Sequence, residues 1–130
     1  MNIWIDMMTL KALIIDDEID ICVLLSGLLK NLGIKASFAV SLKDGDRNLS
    51  ENEYNILFLD NNLPDGSGLD QLPEFKNKYP ELVIIMISAY DGDKEKEFAQ
   101  RNGAIDFISK PLSGNIVKNT LTKYFKNLNL

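Results

Sequence analysis

The chain has 130 residues, 45% of them hydrophobic, enough to bury one core and too few for two ordinary domains. Its 19 acidic against 14 basic residues leave a formal charge of −5, which opposes counterion-driven binding to a polyanion, so nucleic-acid binding is not expected. It has no histidine, which excludes imidazole catalysis and histidine metal ligands, and its single cysteine excludes a disulfide framework and fits a reducing compartment.

In chain order, residues 1–9 lack the basic region of a signal peptide and read as an N-terminal extension or a lead-in to the first strand, with Met8 a plausible start. No apolar stretch approaches the roughly 20 residues that cross a bilayer, so a soluble cytoplasmic protein without membrane attachment is expected. Ala12-Leu13-Ile14-Ile15 is the first continuous apolar run, and Ile21, Leu25, Leu28 and Leu32 follow at helical spacing, stopped by Gly33. Cys22 falls inside this apolar segment and reads as a small core residue.

Residues 35–39 form a shorter, more polar run, as an edge strand would. The crossover over residues 41–53 has only Leu42 and Leu49 as apolar anchors among Gly45, Asp46 and Asn48, so a short or frayed helix is expected there. Ile56-Leu57-Phe58-Leu59 is the next buried run. The helix after it starts near Leu69 and is complicated by Pro73, a residue tolerated in the first turn. Then come the run over residues 82–87, a highly charged helix over 93–102 burying mainly Phe98 and Ala99, and Ile105-Asp106-Phe107-Ile108. A last helix carries Val117, Leu121, Tyr124, Phe125 and Leu128 at its core stripe.

Continuous rather than alternating apolar runs indicate strands covered on both faces. Five of them alternating with helices imply a doubly wound α/β fold: a five-stranded parallel sheet of order 2-1-3-4-5 with helices on both faces. In such sheets ligands bind beyond the carboxyl ends of the strands, where the strand order reverses. The first strand ends in Asp16-Asp17-Glu18, the third in Asp60, the fourth in Ser88 and the fifth in Lys110-Pro111. Clustered carboxylates repel unless a cation neutralises them, and magnesium, with its preference for oxygen ligands, suits this rim. An aspartate beside such a cation can act as a nucleophile toward phosphorus, with the cation and Lys110 offsetting phosphoryl charge.

Each motif alone has a plainer meaning. Asp16-Asp17 suits a helix cap, Asp65-Gly66-Ser67-Gly68 is turn chemistry, Lys110-Pro111 can open a loop, Ser88 can simply end a strand, and Phe107 suits the core. Four of them in order are more specific. Leu13-Ile14-Ile15-Asp16-Asp17-Glu18, the run from Asp60-Asn61-Asn62 through Leu63-Pro64 to Gly68, Ser88-Ala89 and Lys110-Pro111 together resemble the receiver domains of two-component response regulators, from about Leu10 to Leu128.

This resemblance implies a flavodoxin-like receiver domain over residues 10–130, of the stand-alone chemotaxis-regulator type, that is not a turnover enzyme. It implies that Asp60 takes a phosphoryl group from a sensor histidine kinase or a histidine phosphotransfer protein. Asp17, Asp60 and the backbone carbonyl of Asn62 would ligate Mg2+, with Mn2+ a possible substitute, while Asp16 acts through a metal-bound water. Lys110, joined to Pro111 by a cis bond, would pair with the phosphoryl group, and Ser88 and Phe107 would be the switch residues. Output would pass to a downstream protein through the face of the fourth helix, fifth strand and fifth helix, from a monomer or a phosphorylation-dependent dimer. Tyr90 would slow hydrolysis of the acyl phosphate. A flavin carrier fits poorly, because Asp16-Asp17-Glu18 would repel its phosphate. An aspartate-nucleophile phosphatase would need two aspartates two apart on one strand, and an interaction-only receiver would not need all of these functional positions.

Overall fold

Strands and helices alternate along the chain: β1 Lys11–Ile15, α1 Ile19–Asn31, β2 Lys35–Ala39, α2 Leu42–Glu51, β3 Ile56–Asp60, α3 Gly68–Lys78, β4 Val83–Ser88, α4 Asp93–Arg101, β5 Ala104–Ser109 and α5 Gly114–Thr122. The computed structural model describes residues 9–126 and 128, so the extension assigned to residues 1–9 falls, except for Thr9, outside the described residues. All neighbouring strands of the main sheet are parallel, in the order β2-β1-β3-β4-β5. This is the expected 2-1-3-4-5 arrangement. A small antiparallel ladder, Asn62 with Ser67 and Leu63 with Gly66, closes the loop after β3.

The continuous apolar runs are explained by two cores. Ile14, Ile56 and Phe58 face Cys22, Leu25 and Leu29 of α1 and Val117 and Leu121 of α5. Their chain neighbours Leu13, Ile15, Leu57 and Leu59 face Leu42 and Leu49 of α2, Leu72 and Phe75 of α3 and Ala99 of α4. Successive strand residues point to opposite faces, so a sheet covered on both sides needs apolar residues at every position. Gly33 sits just beyond α1 at φ 82°, the left-handed conformation that ends a helix without a Cβ clash.

Four local expectations change. The segment expected to be short or frayed is a regular 10-residue helix, α2. Its first N–H groups are capped by Ser41 Oγ and by the carboxylate of Asp65, and Gly45 lets it lie close on Ile15, whose side chain would collide with a Cβ there. Pro73 sits in the interior of α3 rather than its first turn. The intrahelical hydrogen bond it forfeits is offset by the Ser67 cap and the burial of Leu72 and Phe75. Phe98 is 41% exposed and only Ala99 of the expected pair is buried, because adjacent helical positions lie roughly 100° apart and α4 offers the sheet a narrow face. The last helix stops at Thr122, yet Phe125 still packs against the first core with Val117 and Leu121, its N–H donating to the Leu121 carbonyl at 2.9 Å, while Tyr124 turns toward β5. There the Tyr124 hydroxyl donates to Asp106 Oδ2 at 2.8 Å, tying the chain to β5.

Candidate functional site

The carboxyl ends of β1, β3, β4 and β5 form one rim. Asp16, directly after β1, donates its backbone N–H to the Ala39 carbonyl at 3.1 Å, which holds the turn against β2. Its side chain is fully buried. Oδ1 accepts the Glu18 N–H at 2.9 Å, and the Cys22 thiol donates to the Asp16 carbonyl at 3.3 Å from beneath. Cys22 is the buried core residue expected, its thiol pushed up to about 11 by burial and then by the Asp16 charge. Asp60 ends β3 with 3% of its surface exposed.

Lys110 joins these carboxylates. Its backbone N–H donates to the Ser88 carbonyl at 2.8 Å, extending the β4–β5 pairing, and its peptide bond to Pro111 is cis as expected. Its Nζ lies 2.8 Å from Asp16 Oδ2, 3.2 Å from Glu18 Oε1 and 3.4 Å from Asp60 Oδ1. Burial opposes the ammonium charge, but the contact with Asp16 and the charges of Asp60 and Asp16 outweigh it and hold Lys110 above its ordinary value. The balance at Asp60 runs the other way. Burial first, and the neighbouring Asp16 charge second, push its carboxyl up to about 6 despite the attraction of Lys110.

One ammonium thus faces the carboxyl groups of Asp16, Asp60 and Glu18, with Asp17 adjoining. Carboxylate oxygens of Asp16, Asp17 and Glu18 lie within 4.8 Å of one another. Asp16 Oδ2 is buried and, although close to Lys110, accepts no aligned hydrogen bond. An oxygen-only donor set whose negative charge exceeds that of its one ammonium fits a hard divalent cation such as magnesium.

Asp16, Asp60 and Lys110 are therefore brought into direct contact. Ser88, 1% exposed, uses its Oγ to accept the Tyr90 N–H at 3.0 Å, so its hydroxyl serves the local backbone. Phe107 is half-buried and packs against the second core, beside Met86 of β4. Asn62 is exposed within the small ladder. Tyr90 is 63% exposed beyond β4. Asp16 and Asp17 do not cap α1, whose N-cap is Glu18 with no side-chain cap bond. Glu18 also belongs to the site, and its signal in the sequence is the unbroken Asp-Asp-Glu run. Asn61, beside the site, has a supporting role that its place in the motif does not reveal; its Oδ1 accepts the Ser67 hydroxyl at 2.7 Å and the Leu69 N–H at 3.1 Å, setting the start of α3.

The chain is similar to known proteins in both sequence and fold. The family described as response regulator receiver domain matches residues 12–122. Over 102 residues the chain is 35% identical to the response regulator protein PilR of Pseudomonas aeruginosa, covering 78% of this chain and 23% of that protein. It is 37% identical over 106 residues to the nitrogen assimilation regulatory protein NtrX of Azorhizobium caulinodans, with 78% and 23% covered. A two-component response regulator from Clostridium difficile has a TM-score of 0.83 at 27% identity, covering 88% of this chain and 93% of that one. The chain spans about a quarter of the length of the curated relatives it matches.

Proposed function

The chain belongs to the response regulator receiver domain family, and from that premise we propose that it takes a phosphoryl group on Asp60 and signals by changing conformation. The observation that carries this reading is the Lys110 ammonium set between the buried carboxylates of Asp16 and Asp60 at the ends of three strands. Burial, which raises the Asp60 pKa, makes its ionised oxygen a stronger base toward phosphorus, and the negative charge that the phosphoryl group brings would be offset by Lys110 and a bound cation. One Asp60 oxygen forms the bond to phosphorus as the donor's phosphorus–nitrogen bond breaks, and that bond's electron pair leaves with the histidine nitrogen of a sensor kinase or phosphotransfer protein.

Asp17, Asp60 and the Asn62 carbonyl would hold Mg2+, or Mn2+ in its place, with Asp16 acting through a bound water. When bound, the cation supplies positive charge that offsets the phosphoryl oxygens. Lys110 offsets the rest of that charge and orients the group. Ser88 exchanges its Tyr90 N–H contact for the phosphoryl oxygens, and Phe107, lacking a hydroxyl, follows by packing alone. The result is read by a downstream protein on the face of α4, β5 and α5, by a monomer or by a dimer formed on phosphorylation. The domain acts in the cytoplasm, stand-alone or as part of a longer regulator, and is a phosphoacceptor rather than a turnover enzyme.

Incubation with acetyl phosphate and Mg2+, followed by intact-mass measurement, tests this. The wild type is expected to gain one phosphoryl group and Asp60→Asn none. No gain in the wild type, or equal gain in both, overturns the assignment.

A further inference from the structure

The loop over residues 61–67, which joins Asp60 to α3, is fastened to the N-termini of two different helices. At its start Asn61 serves α3. Its carbonyl accepts the Gly68 N–H at 2.8 Å, its Oδ1 accepts the Ser67 hydroxyl and the Leu69 N–H, and Ser67 Oγ accepts the Asp70 N–H at 3.4 Å. At its tip Asp65 serves α2, reaching back 23 positions. Oδ1 accepts the Leu42 N–H at 2.8 Å and Oδ2 the Lys43 N–H at 2.9 Å.

The first N–H groups of a helix have no intrahelical partner, and a carboxylate answers two of them at once with the charge the helix end favours. Helix α2 already has its own cap, since Ser41 Oγ accepts the Asp44 N–H at 3.1 Å. What the remote carboxylate adds is a tether on the loop that supplies it. Between the two anchors lies Asn62, held in its short ladder with Ser67. A backbone oxygen can ligate a cation reproducibly only if the segment carrying it is fixed by partners outside the ligand set.

We propose that Asp65 is a positioning residue for the metal-binding loop, fixing the backbone of Asn62 by tying the loop tip to the N-terminus of α2. The inference rests on the phosphoacceptor reading above, in which the Asn62 carbonyl is a ligand.

The test is a Mg2+ titration of the full chain followed by amide chemical shifts, on wild type, Asp65→Ala, Asp65→Asn and Ser41→Ala. Asp65→Ala is expected to weaken Mg2+ binding about tenfold, within the range seen when partners that orient metal ligands are lost. Asp65→Asn, which keeps one acceptor oxygen, is expected to lose less, and Ser41→Ala, which removes only α2's own cap, to bind like wild type. The deficit of Asp65→Ala in phosphorylation rate at low Mg2+ is expected to vanish at saturating Mg2+. Wild-type affinity in Asp65→Ala overturns the proposal, as does equal weakening in Ser41→Ala, which would mean that helix integrity alone is being read. Should Asp65→Ala fail to fold, Asp65→Asn carries the comparison, and wild-type affinity there overturns it. A wild type that binds no Mg2+ overturns the phosphoacceptor reading and this inference together, whereas a variant matching a Mg2+-binding wild type overturns this inference alone.

Discussion

The start and the tip of the loop after β3 hold two aspartates in opposite settings. Asp60 is buried beside Asp16, and its carboxyl is pushed up to about 6 by that burial and that neighbour. Asp65 is exposed and accepts the Leu42 and Lys43 N–H groups, which hold its carboxyl below the usual carboxylate range. The same side chain is thus opposed in its charge at one position and supported at the other. The opposed carboxylate is suited to chemistry or cation binding that relieves it, and the supported one to holding backbone in place.

The largest expected effect comes from removing the cation that tempers the opposed site. Lys110→Ala leaves Asp16 and Asp60 buried without their ammonium, and is expected to lower stability by on the order of 3 kcal/mol in metal-free urea unfolding at pH 7. Adding Mg2+ should restore much of that loss, and a variant insensitive to Mg2+ would separate the ammonium from the metal site. Next is Gly68→Ala. A Cβ there would run into the Asp60 backbone carbonyl, so a loss of about 1–3 kcal/mol is expected, together with slower phosphorylation as the end of β3 shifts. An unchanged phosphorylation rate would show that the strand end absorbs the methyl group elsewhere.

The pH dependence sharpens the contrast further. Folding raises the Asp60 pKa from about 3.8 to about 6, so the folded chain holds that proton more tightly, and ionisation of Asp60 lowers stability as pH climbs through this window. Metal-free Asp60→Asn is therefore expected to exceed wild type by on the order of 2 kcal/mol at pH 7 and to converge with it near pH 4. Asp65 has a lowered folded pKa, so its contribution is present at neutral pH and lost as pH falls through that value. Asp65→Asn should be less stable than wild type at pH 7, with the gap closing in acid. Urea unfolding at the two pH values checks both signs. The smallest effect is at Tyr90: because the side chain is 63% exposed beyond β4, Tyr90→Ala is expected to speed loss of the phosphoryl group only modestly, measured as decay of the phosphorylated mass after donor removal.

Much of this molecule was legible in its sequence because the strongest signals are local. A strand buried on both faces must be apolar at every position, so residues 12–15 and 56–59 announced β1 and β3, and Asp16 and Asp60 at the ends of those runs, with Lys110 after β5, announced the rim. What was not legible depends on partners distant in the chain. The regularity of α2 comes in part from a carboxylate 23 positions later, and around Asp65 only its turn chemistry was visible. Pro73 fits inside α3 because Leu72 and Phe75 are held by the sheet. The exposure of Phe98 follows from how narrow a face α4 presents, which no spacing within the helix specifies. Glu18 neighbours Asp16 and Asp17 in the chain, but its pairing with Lys110 spans 92 positions.

The central claim is that Asp60 takes the phosphoryl group beside a cation and that Lys110 then faces that group. A crystal structure of the wild type with Mg2+ and beryllofluoride tests it most directly. Beryllium is expected on an Asp60 carboxylate oxygen, with a metal ion held between Asp17, Asp60 and the Asn62 carbonyl, and Lys110 Nζ turned from Asp16 toward a fluorine. Beryllofluoride bound elsewhere, or a metal ion that leaves Asp60 untouched, would contradict it.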